Sequence, residues 1–66
     1  MTLGGELKKA RLAAGVTQEE LAFKAEISRN YVSLLELDQK SPTLQVLLKI
    51  CKALGTKASK IISRVE

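Results

Sequence analysis

The apolar residues of this chain recur every three or four positions and nowhere alternate over a sustained run. That spacing places them on one side of helices and leaves no strand pattern from which a sheet could grow. An all-α fold is therefore expected. With 66 residues, the chain has material for one domain and one core, residues 1–66 together. Hydrophobic residues make up 45% of it, yet there is one Tyr, one Phe and no Trp, so that core must be built from Leu, Ile, Val and Ala.

Capping residues cut the pattern into five helices. The first spans about Leu3 to Ala14, with Leu3, Leu7, Ala10 and Ala14 on one face and Gly15 as its stop; Gly4 and Gly5 weaken its first turn. The second runs from Thr17 to Ala25. It opens on a Thr17-x-x-Glu20 capping box and buries Leu21, Ala22 and Ala25. A third begins after Ser28 and continues to about Leu37, burying Val32 and Leu35, before the turn residues Asp38 to Pro42. The fourth follows Thr43, with Leu44, Leu47, Leu48, Cys51 and Leu54 expected inward and Gly55 at its end. The fifth, near Lys57 to Val65, carries Ile61, Ile62 and Val65.

Several functions are disfavoured by what the chain lacks. With no His and a single Cys, neither a zinc site nor a histidine-based catalytic centre can be assembled, and no catalytic pair is evident, so an enzyme is not expected. Cys51 sits in an apolar run and reads as a buried thiol of a reducing compartment. No apolar run approaches the roughly 20 residues of a membrane span, and Met1 is not followed by a signal-peptide pattern. A cytoplasmic location is expected. The net charge of +4 favours anionic partners modestly.

The third helix poses a sharper question. Its first turn holds Arg29 and Asn30, although a helix N-terminus carries partial positive charge and favours acids; the second helix obeys that rule with Glu19 and Glu20. An anion outside the protein would resolve the conflict, because free N–H groups and a neighbouring Arg both attract phosphate. At about 100° per residue, Val32 and Leu35 point inward while Arg29, Asn30, Ser33 and Leu34 lie on the opposite side or its border. A polar helix end of this kind fits the major groove, where Arg pairs with guanine and Asn with adenine. The same pattern also fits an ordinary amphipathic helix with a solvated polar face.

The run "GVTQEELAFKAEISRNYVSLLE" followed by "SPTLQVLLKICKALG" resembles the lambda-repressor-like helix-turn-helix family, the Cro/CI or XRE group, over about Leu3 to Ile62. Arg11, Thr17 to Ala22, Ser28-Arg29, Glu36, Pro42 and Leu54-Gly55 all fall at family spacing. "SRNYVS" and the small size are similar to the controller proteins of restriction-modification systems, which are standalone dimeric regulators. The resemblance implies a five-helix DNA-binding domain with its helix-turn-helix at about 17–36. It makes Arg29, Asn30, Ser33 and Leu34 the base-reading positions, and Gln18, Ser28, Lys40 and Thr43 contacts to the DNA backbone. Tyr31 either gives its hydroxyl to a phosphate or covers the core edge.

Family pairing and geometry also predict a largely buried ion pair between Arg11 and Glu36. Two departures stand out. Glu26 occupies a turn position where the family commonly has Gly and positive φ, and Leu37 replaces the usual polar or basic residue after Glu36. The expected function is that of a sequence-specific transcriptional regulator binding pseudo-palindromic double-stranded DNA as a homodimer, with Ile61, Ile62 and Val65 supplying the dimer contact. No cofactor, metal or small-molecule ligand is implied. The rival reading is a protein-interaction module, such as an antitoxin or antirepressor subunit, that docks through the last helix and exposed Leu34 and Leu37.

Overall fold

A computed structural model describes residues 2–65 and contains five helices, with no strand among the described residues. They are α1 (Leu3–Ala13), α2 (Gln18–Ala25), α3 (Arg29–Glu36), α4 (Leu44–Leu54) and α5 (Ala58–Val65). Each of the first four starts at a hydroxyl cap. Thr2, Thr17, Ser28 and Thr43 accept hydrogen bonds from the backbone N–H of Gly5, Glu20, Tyr31 and Val46 at 3.0, 3.0, 3.0 and 3.2 Å. At α2 the box closes reciprocally, with the Thr17 N–H donating to Glu20 Oε1 at 3.0 Å. Hydrogen bonding by Thr17, first of all from its backbone N–H, holds the Glu20 carboxyl below its ordinary pKa.

α2 packs on α3 and α4, while α1 packs on α3 and α5. The core between them is Leu7, Leu21, Ala22, Ala25, Val32, Leu35, Leu47, Ile50, Cys51 and Ile61. Burial raises the pKa of the Cys51 thiol. The α2–α3 turn passes through Glu26 at φ 58°, the left-handed conformation expected at this position and strained for a residue with a Cβ. No described helix is long and apolar enough to cross a membrane.

Three expectations about facing need correction. In α4, Leu44 and Leu48 are 67% and 51% exposed, and Ile50 takes the core place assigned to them. In α1, Ala14 lies beyond the helix and is exposed. In α5, Ile61 is only 1% exposed, so it closes the core and is withdrawn from any surface contact, while Ile62 is 41% exposed and Val65 half-buried. α1, for its part, forms fully despite its glycines. Gly4 is in fact required there, because a Cβ at this position would stand 2.4 Å from the Leu35 carbonyl oxygen and 2.7 Å from that of Glu36.

Candidate nucleic-acid interface

The site is organised by one buried carboxylate. Glu36, at the last turn of α3, accepts from Arg11 Nε at 2.7 Å and Nη2 at 3.2 Å, a bidentate pair whose side chains are 4% and 9% exposed respectively. Its Oε1 also accepts from Gln18 Nε2 at 3.0 Å. Arg11 Nη1 donates in turn to the carbonyl of Val16 at 2.9 Å, fixing the chain just before α2. Thus α1, the start of α2 and the end of α3 meet on a charge with its hydrogen bonds satisfied. The ion pair is where the sequence placed it. The Gln18 amide is held by this network while it stands at the mouth of the site.

That mouth is an open cleft of about 590 Å³ bordered by Arg11, Gly15, Thr17, Gln18, Glu19 and Arg29. It brings the N-terminal ends of α2 and α3 together. Arg29 and Asn30 project into solvent from the first turn of α3, which holds no acid. Ser33 and Leu34, one turn on, are half-buried, so they form the border of that face and Leu34 is less available than the rival reading required. Ser28 is exposed, with its oxygen accepting from Tyr31 N–H and its own hydrogen free to donate. Tyr31 is half-buried and packed against the core. Lys40 is exposed in the turn after α3, and Thr43 is exposed at the cap of α4.

Two residues of this region escaped sequence reasoning. Asp38 adopts φ 60° and accepts from the Gly4 N–H through Oδ1 at 2.9 Å. An Asp one or two places past a helix end is compatible with that conformation, but nothing local identifies a partner 34 positions away. Glu6, in the first turn of α1, is buried with Oε1 lacking a hydrogen bond and Arg64 Nη1 at 4.0 Å.

The family whose description is helix-turn-helix matches residues 7–61. An immunity repressor protein of Bacillus phage phi105 is 39% identical over 62 residues, which cover 94% of this chain and 43% of the repressor. Among solved structures, the clp gene regulator ClgR from C. glutamicum superposes with a TM-score of 0.91 at 33% identity, over 96% of this chain and 82% of that one. The restriction-modification controller protein C.AhdI from Aeromonas hydrophila gives 0.87 at 34% identity, over 89% of each chain. The chain spans about half the length of the first two curated relatives, 43% and 52%.

Proposed function

The chain belongs to the helix-turn-helix family, and on that premise we propose that it is a sequence-specific transcriptional regulator which inserts α3 into the major groove of operator DNA as a homodimer. The observation that carries this reading is the acid-free first turn of α3, with Arg29 and Asn30 exposed beside the start of α2. DNA supplies the negative charge that turn lacks. Arg29 and Asn30 read base edges, and Ser33 and Leu34 approach the groove one turn further in. Gln18, Ser28, Lys40 and Thr43 hold phosphates, with the Tyr31 hydroxyl as a further donor. The Arg11–Glu36–Gln18 network serves the same end by fixing the angle between α2 and α3.

A single recognition helix reads only a few base pairs, too few for the roughly 10³-fold or greater discrimination of specific sites. A second copy doubles the contacts. Ile62 and Val65 on α5 are its proposed contact, placing the two α3 helices about 34 Å apart on half-sites one helical turn apart. Val65→Asp is expected to abolish the dimer in ultracentrifugation with helicity retained. An intact dimer would move the contact to the exposed Leu44 and Leu48 of α4.

Selection of binding sites from random duplex DNA tests the reading directly. A symmetric consensus is expected, with affinity that falls steeply as salt rises. Arg29→Ala should relax discrimination at one base pair by about 1–3 kcal/mol, whereas Lys40→Ala should weaken all sequences alike and lower the salt slope by about one. Failure to enrich any sequence, with salt-insensitive binding to protein partners instead, would sink the proposal.

A further inference from the structure

The turn that follows α3 carries a side chain where glycine is the usual choice. Asp38 occupies the position just past the helix C-cap at φ 60°. Its N–H donates to the Leu35 carbonyl at 3.2 Å, and the Gln39 N–H donates to the Leu34 carbonyl at 2.9 Å. This paired arrangement is the one that glycine completes without strain. A side chain at such a position needs a reason. Here the reason is across the molecule: Asp38 Oδ1 accepts from the Gly4 N–H at 2.9 Å, so a carboxylate sits on the N-terminal turn of α1. Gly4 completes the fit, since any Cβ would lie 2.8 Å from that same oxygen and closer still to the last carbonyls of α3. The start of α1 thus abuts the end of α3, and Asp38 bridges the two.

We infer that Asp38 is a positioning residue of the DNA interface, clasping the turn at residues 38–42 to α1 so that Lys40 and the α4 cap Thr43 are presented at a fixed distance from α3. The inference rests on the DNA-binding reading above. Two features of the turn support it. Lys40 lies two residues beyond the clasp in a stretch exposed through Ser41, whose other backbone hydrogen bonds among the described residues go to the end of α3. The clasp also commits the one acidic group of this turn to an α1 N–H, which holds its charge against the protein where a free carboxylate would repel phosphate.

The test compares D38G and D38N with the wild-type chain. Gly keeps the left-handed turn without strain and removes only the carboxylate, while Asn keeps an oxygen that can accept from Gly4 and tolerates the same φ. D38G is expected to bind selected operator and random duplex about tenfold more weakly, as for one lost hydrogen bond, with a salt slope lower by about one and unchanged base preference. D38N should stay near wild type. Equal binding by all three chains overturns the inference, as does tighter binding by both variants through loss of negative charge, or a loss shared equally by D38N. Amide NMR without DNA keeps the clasp testable by itself. Signals of residues 39, 40, 41 and 43 should move in D38G and hold in D38N, while α2 stays unchanged in both. Unmoved signals in D38G overturn the clasp even where the wild-type chain binds DNA. A wild-type chain without salt-dependent DNA binding, but with those shifts, would fault the functional reading and leave the clasp standing.

Discussion

α3 and α5 meet α1 in opposite ways. α3 is joined to α1 by a bidentate ion pair at 2.7 and 3.2 Å and by the Asp38 clasp, and the amide of Gln18 on α2 donates to the same carboxylate. Among the described residues, α5 offers α1 one fully buried side chain, Ile61, and a single 4.0 Å approach between Arg64 and the buried Glu6, whose Oε1 has no hydrogen bond. The first joint fixes an angle. Directional bonds from three elements over-determine where α3 stands, as its proposed fit to a groove requires. The second joint is mainly apolar contact, which is strong but non-directional. It tolerates adjustment of α5, suiting an element proposed to meet a second copy.

On this contrast, removing the shared carboxylate is the most damaging single change. Glu36→Ala leaves Arg11 buried and Gln18 unpartnered, and should lower stability by about 3–5 kcal/mol in urea unfolding. A change within 1 kcal/mol, on the order of a surface pair, would erase the distinction between the joints.

Next in size is Ile61→Ala, expected to cost about 2–4 kcal/mol as a cavity in an aliphatic core. It should also release α5 before the remainder. Hydrogen exchange would show this as lost protection at residues 58–65 with α2 and α3 still protected. Uniform loss across all helices would mean that α5 belongs to the same cooperative unit.

Arg64→Ala sharpens the comparison from the polar side. The guanidinium is half exposed and makes no hydrogen bond to Glu6, so the expected cost is below about 1 kcal/mol in the same urea experiment. A cost equal to that of Glu36→Ala would make Glu6–Arg64 a true counterpart of Arg11–Glu36.

The smallest effect is a pH dependence confined to the α2 end. Glu20 is held below its ordinary pKa by its bonds to Thr17, so its contribution is complete above the unfolded carboxylate value and is lost as pH falls through the lowered folded one. Acid titration followed by NMR should therefore shift the Thr17 amide only below the pH at which ordinary carboxylates titrate. Glu20→Gln, which keeps an acceptor for that amide, should remove the titration and retain the helix.

Much of this was readable from residues alone. The capping hydroxyls Thr17, Ser28 and Thr43 mark helix starts because they act within three residues of themselves, whereas the positive φ at Glu26 was implied only by the family resemblance. The Arg11–Glu36 pair was legible because two charges at the edges of core faces demand each other. The polar start of α3 announced itself by breaking the rule that α2 obeys.

Local pattern failed where a helix is apolar on several sides. α4 offers Leu44, Val46, Leu47, Leu48, Ile50, Cys51, Ala53 and Leu54, so periodicity cannot choose a face, and it is packing against α2 that buries Leu47, Ile50 and Cys51 while leaving Leu44 and Leu48 outside. Ile61 and Ile62 are adjacent in sequence, and only the docking of α5 on α1 decides which one enters the core. Gly4 and Asp38 illustrate the general reason. Hydrogen bonds within a turn or cap depend on neighbours that the sequence lists in order, so the sequence by itself determined the helices, their caps and the unusual start of α3. The depth of α1 against α3, the face of α4 and the clasp at Asp38 depend on groups brought together from far along the chain, and these only the tertiary structure decided.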